Sequence, residues 1–135
     1  MQFTKAEEYG IFGIMYLASQ PPGRITPLSE ISENQKVPEK FLAKIFQSLS
    51  RSGLIRSHRG VKGGFTIGKP SHEITIKEVV ESIQGPYYIS KCLTEPTDGQ
   101  SPAMLSLRKL LEEAQGKLLK VFSEHTIKDL TDWQD

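Results

Sequence analysis

The sequence predicts a mainly α-helical fold with a small β-hairpin wing: a winged helix-turn-helix followed by a long dimerisation helix. Three observations carry that prediction. Phe41, Leu42, Ile45, Phe46 and Leu49 recur at helical spacing, while Lys40, Lys44, Gln47, Ser48 and Arg51 fall on the opposite side. The glycine-rich string GVKGG, residues 60–64, lies between two short runs of strand character. Further on, Met104, Leu107, Leu111, Ala114, Leu118, Val121 and His125 alternate by three and four, as the a and d positions of a coiled coil do.

Each element follows from local chemistry. Thr4-Lys5-Ala6-Glu7 is a capping box, in which a hydroxyl and a carboxylate satisfy orphan amides at a helix start. Ala6, Tyr9, Ile11, Ile14, Met15, Leu17 and Ala18 then spread apolar groups widely around the helix, which predicts more than one packing neighbour. Pro21-Pro22-Gly23 stops it. Thr26-Pro27 is expected to open a second helix, threonine as N-cap and proline in the first turn, with Leu28 and Ile31 facing inward. After a break at Asn34-Gln35-Lys36, Val37-Pro38 opens a third, which Ser52-Gly53 ends. Two helices joined by a tight turn, the second apolar beneath and basic above, make a helix-turn-helix pattern. Residues 54–59 and 65–67 are expected as the strands of a hairpin whose tip uses the conformational freedom of Gly60, Gly63 and Gly64. Thr75 and Glu78 form a second capping box, and Ile76, Val79, Val80 and Ile83 follow as the apolar stripe of a fourth helix, terminated by Gly85-Pro86. Ser101-Pro102 caps the long fifth helix. Thr126 starts a last short helix that ends near Trp133.

Composition bounds the function. Of 135 residues, 37% are hydrophobic and 24% charged, the balance of an ordinary globular domain rather than a disordered chain. The longest nearly apolar run, residues 10–18, is too short to span a bilayer, and no leader pattern opens the sequence, so a cytoplasmic protein without membrane contact is expected. A net charge of +1 hides a strong segregation. Residues 40–72 carry Lys40, Lys44, Arg51, Arg56, Arg59, Lys62 and Lys69 with no acid, while both flanks are acidic. Such a basic middle is the electrostatic footprint of a nucleic-acid partner. The glycines of residues 60–64 are not a nucleotide loop, because the Lys-Ser/Thr end and the following helix of that motif are missing. His58, His72 and His125 share no metal-ligand or nucleophile spacing, and no enzyme is expected.

The N-terminal part of the second helix of a helix-turn-helix enters the major groove. Here that part holds Pro38, Lys40, Ala43 and Lys44, with Gln47 one turn further. Lys40, Lys44 and Gln47 have the donors to read base edges or phosphate; Arg51, Arg56, Arg59 and Lys62 suit the DNA backbone. The rival reading is a winged-helix interaction module whose basic face meets an acidic protein. Met104, Leu107, Leu111, Ala114, Leu118 and Val121 form a seam with no second long helix in the chain to cover it, so a homodimer is expected. The organisation reads as a DNA-binding unit over 1–85, a loop over 86–101, and the long helix with its short successor over 102–135.

Several strings resemble the iron–sulfur cluster regulator family of bacterial transcription factors, also called the Rrf-two family: FTKAEEYGIFGIMYLA, PLSEISENQKVPEKFLAKIFQSLSRSGLI, RGVKGGFTIGKP, ITIKEVVESIQGP and TIKDL. The resemblance implies a homodimeric winged helix-turn-helix protein that binds imperfect palindromes in double-stranded DNA, usually as a repressor. It implies that the helix after Pro38 lies in the major groove and the wing, with Gly63 and Gly64, in the minor groove. It also makes the loop a sensor segment, where many members hold an iron–sulfur cluster on three cysteines. Cys92, the only cysteine here, stands in the place of the first. One thiol cannot ligate both irons of a cluster within one subunit. Glu8 stands where some members supply a carboxylate from the opposite subunit, which keeps a mixed-ligand cluster among the readings. The others are a thiol switch at Cys92, a small-molecule or protein effector acting through the same loop, and a cysteine without regulatory duty.

Overall fold

The computed structural model describes residues 2–134. Helix α1, Lys5–Ala18, opens on its capping box: the Thr4 N–H donates to Glu7 Oε1 at 2.7 Å, and the Thr4 hydroxyl also donates to Oε2 at 2.9 Å. Glu7 is also 1% exposed and accepts a bond from Gln84 Nε2 at 2.6 Å, so the cap fastens α1 to the end of α4, Ile76–Gln84. The apolar surround of α1 is used on several sides, with Ile11, Ile14, Met15 and Leu17 all in the core. Gly13 lets α3, Glu39–Arg51, approach: a Cβ there would stand 2.5 Å from the Phe46 ring.

Two expectations about the helix-turn-helix are corrected. Helix α2, Leu28–Gln35, has Pro27 rather than Thr26 as its N-cap. Thr26 is extended and fully buried, and exchanges backbone bonds of 2.9 and 2.8 Å with Phe65 of the wing. A buried backbone needs partners, and the free edge of the hairpin supplies them. Phe41, placed on the inner face of α3, is 40% exposed and meets Tyr9 edge-on at 5.6 Å. Leu42, one residue and roughly 100° further round the helix, takes the core position instead, with Ile45, Phe46 and Leu49. Lys36 adopts φ 56° to end α2, and the Ser32 hydroxyl closes the turn by donating to the Val37 carbonyl.

Strands β1, Ile55–His58, and β2, Gly64–Ile67, pair antiparallel with Ile55 opposite Ile67 and His58 opposite Gly64. Phe65 packs edge-on against Phe46 at 4.9 Å, which seats the wing on α3. A 3-10 turn, Ser71–Glu73, leads into α4. Its cap is as expected, Thr75 accepting from the Glu78 amide at 3.1 Å.

The long helix α5, Pro102–Glu124, starts with Ser101 accepting from the Met104 amide at 3.1 Å. Helix α6, Ile127–Asp132, starts with Thr126 accepting from the Asp129 amide at 3.2 Å. The caps of α4 and α6 lie against each other: the Ile76 N–H donates to the His125 carbonyl at 3.0 Å and the Ile127 N–H to the Ile74 carbonyl at 2.9 Å. Ile127 is thereby buried in the core that holds Ile11 and Ile14, so α6 packs on α1. Among the described residues no helix is long and apolar enough to cross a membrane.

Candidate nucleic-acid interface

The acid-free segment forms α3 and the hairpin, with Ser57 and Phe65 on the hairpin side that faces α3 and Arg56 on the other side, toward the loop before α2. On α3, Lys40, Lys44, Gln47 and Arg51 are exposed above the buried Leu42–Phe46–Leu49 stripe; beside them the hairpin exposes Arg56, Arg59 and Lys62. None of these cations has an acidic partner among the described residues, whereas Lys69 from the same segment is held by Glu78 at 2.6 Å. Unpaired cations keep their field for an outside partner. Between α3 and the hairpin runs an open cleft of about 700 Å³ lined by Ala43, Gln47, Ser50, Arg51, Ser57 and Phe65. Pro38 stands exposed just ahead of α3 as its N-cap.

The wing owes its shape to glycines at two places. At the tip Gly60 has φ 113° and accepts from the Gly63 amide at 3.0 Å; a Cβ on Gly63 would stand 2.5 Å from the His58 carbonyl. At the base a Cβ on Gly64 would collide with the Thr26 carbonyl, so glycine there permits the bridge that joins wing to helix-turn-helix. His58 Nε2 and Thr66 Oγ1 lie 2.9 Å apart across the hairpin. Val61 projects fully into solvent between Arg59 and Lys62, an exposed apolar tip that spacing alone did not single out.

A brace behind this face also escaped the sequence reading. Glu30 of α2 accepts from Arg24 Nη2 at 2.6 Å, Arg24 Nη1 at 2.8 Å and the Tyr16 hydroxyl at 2.6 Å. The hydrogen bonds from Arg24 and then Tyr16 hold the Glu30 carboxyl down to about 2. The same bond raises the Tyr16 phenol. Arg24 was visible only as one charge in an acidic stretch; nothing in its spacing announces Glu30, six residues on, as its partner.

The loop over 86–101 forms a second feature. Cys92 lies half-buried in a 3-10 turn, Lys91–Thr94, with the Ser90 hydroxyl 3.4 Å from its sulfur. Glu8, the other candidate ligand, pairs with Lys5 on α1 at 3.4 Å. No three His, Cys, Asp or Glu side chains converge as a metal site among the described residues. Along α5 the predicted seam is partly open. Met104, Leu107, Ala114 and Val121 are exposed, Leu111 is half-buried, and Leu118 turns to pack on the core. Leu110, at 60% exposed, belongs to the open face and was missed, because a straight helix of 3.6 residues per turn drifts from a strict heptad.

Residues 3–133 match the family model for Rrf2, described as an iron-dependent transcriptional regulator. The fold is similar to CymR (YrzC), the global cysteine regulator of B. subtilis: TM-score 0.82 and 24% identity over 100% of this chain and 99% of that one. The oxidized form of Staphylococcus aureus CymR matches with TM-score 0.75 and 25% identity, over 100% and 99% of the two chains. T. potens IscR matches with TM-score 0.79 and 18% identity, over 100% and 89%. The description as iron-dependent sets a donor requirement. A lone thiol beside a serine hydroxyl, with Glu8 already paired to Lys5, does not fit an iron–sulfur cluster within one chain.

Proposed function

This chain belongs to the Rrf2 family of transcriptional regulators, and on that premise we propose that it is a homodimeric repressor of an imperfect DNA palindrome, taking its signal through the Cys92 loop. It is a DNA-binding transcription regulator and not an enzyme. The observation that carries the finer reading is the acid-free face: Lys40, Lys44, Arg51, Arg56, Arg59 and Lys62 are exposed and unpaired among the described residues, on two elements that Thr26 and Phe46 lock together.

In this reading Pro38, Lys40, Ala43, Lys44 and Gln47 enter the major groove, where the lysines and Gln47 reach base edges. Arg51, Arg56, Arg59 and Lys62 neutralise phosphates, and the wing, with Gly63 and Gly64, follows the minor groove. The open apolar face of α5 with Met104, Leu107, Leu110 and Val121 meets a second copy, which sets two reading helices against two half-sites. The setting is cytoplasmic, and the effector is a small molecule, a protein or an oxidant that meets the loop.

Duplex binding measured by fluorescence anisotropy against salt tests this. The wild-type affinity is expected to fall steeply, and Arg51→Ala and Arg59→Ala each to flatten the log–log slope by about 2, since each removes one phosphate contact from each protomer of the dimer. Affinity that ignores salt, together with capture of an acidic protein by the same face, would instead establish the interaction-module reading.

A further inference from the structure

Arg108 donates four hydrogen bonds, three of them to backbone carbonyls, and the DNA face does not use it. Its side chain is only 14% exposed. Nη1 donates to the Cys92 carbonyl at 2.6 Å and to the Glu95 carbonyl at 2.7 Å, Nη2 donates to the Leu93 carbonyl at 3.3 Å, and Nε donates to Glu112 Oε1 at 3.1 Å. The carbonyls that end the 3-10 turn around Cys92 have no helical donors ahead of them, and one guanidinium fork from α5 supplies them. Seven residues on, the same face of α5 repeats the device. Gln115 is buried, donates to the Tyr87 carbonyl and accepts from the Ile89 amide at 2.8 Å. Another seven on, Phe122 packs edge-on against Tyr87 at 5.9 Å.

We propose that Arg108 is the positioning residue that carries the state of the Cys92 loop into α5, without a metal. The inference rests on the proposal that signal enters through this loop. A change at the Cys92 sulfur displaces the short turn whose carbonyls Arg108 holds. Because α5 bears the open apolar face, a shift of that turn is delivered to the helix that spaces the two reading heads. Lysine retains the charge but not the fork, so Arg108→Lys satisfies fewer of these carbonyls.

The test uses the full-length chain, iodoacetamide as the thiol probe, and a duplex selected from a random pool by the wild-type protein. In wild type, alkylation at Cys92 is expected to change duplex affinity about tenfold, within the range of ordinary coupling between sites. Arg108→Ala is expected to react with iodoacetamide several-fold faster, to bind the unmodified duplex, and to lose most of the response to alkylation, with Arg108→Lys between the two. Treating wild type with an iron chelator is expected to change neither reaction rate nor affinity. Far-UV circular dichroism checks that both variants are folded, and Arg108→Lys serves if Arg108→Ala is not. The inference is overturned if the variants react at the wild-type rate, if their affinity responds to alkylation as fully as wild type does, or if chelation alone reproduces them. Wild-type binding that is strong but indifferent to alkylation overturns this inference and leaves DNA reading standing. Absence of any salt-dependent duplex binding removes the parent reading and this one with it.

Discussion

Glu30 is the residue on which the orientation of the helix-turn-helix most visibly depends. It takes bonds from Arg24 and from Tyr16, and so ties α2 to α1 and to the loop between them. Its folded carboxyl titrates at about 2 against an ordinary glutamate value of 4.5. Between those values the unfolded chain binds more protons than the folded one, so stability rises with pH there. The brace is fully effective above about pH 4.5 and is lost as pH falls toward 2. Melting temperatures of wild type and Glu30→Gln are therefore expected to converge over that window and to stay apart above it; parallel curves would show that the brace contributes nothing. Gly13 gives a second residue-scale expectation. A Cβ there meets the rigid, fully buried Phe46 ring, while one on Gly10 meets the flexible end of Ile83. Gly13→Ala is expected to cost about 1–3 kcal/mol in chemical denaturation, and Gly10→Ala less, because an isoleucine terminus can move aside more easily than a ring.

At the scale of elements, α5 is divided along its length. One side grips the chain over 87–95 through Arg108, Gln115 and Phe122, and the other exposes Leu107 and Leu110. Leu107→Asp with Leu110→Asp is expected to leave the fold intact, since neither side chain is in the core, and to yield a monomer in sedimentation equilibrium. A dimer persisting in that variant would place the contact elsewhere. The sequence made the helix and its cap legible through Ser101-Pro102 and the periodic leucines. It did not show which apolar side turns inward. That choice is made by Tyr87, Ile89 and the Cys92 turn, whose backbone bonds reach α5 from a loop without periodicity. The two short capping boxes tell a similar story. Thr75–Glu78 and Thr126–Asp129 announced two helix starts, and nothing local announced that Ile76 and Ile127 would each bond across to the other's approach strand.

For the whole molecule, separation of charge is the organising fact. An acid-free middle segment leaves six exposed, unpaired cations on α3 and the hairpin among the described residues, while the acidic flanks form most of the other helices around them. Repulsion among those cations opposes bringing them together, and the core over Phe46, Leu49, Leu54 and Ile74 supplies the burial that holds them there. The dimer-breaking pair of substitutions is expected to weaken binding to a duplex with two half-sites far more than to one with a single half-site, as anisotropy titrations would show. Equal losses on both duplexes would mean that α5 does not set the spacing.

The sequence by itself determined the helices, their caps apart from that of α2, the hairpin and the identity of the basic residues, because caps, periodicity and glycine-rich turns act over a few neighbouring positions. Tertiary structure alone decided the bridge of Thr26 to Phe65, the exposure of Phe41, the Arg24–Glu30–Tyr16 brace and the grip of Arg108 on the Cys92 turn. Each of those joins segments whose separation along the chain leaves no periodic trace. They form because buried backbone groups and carboxylates take whatever donor the packed core brings within reach.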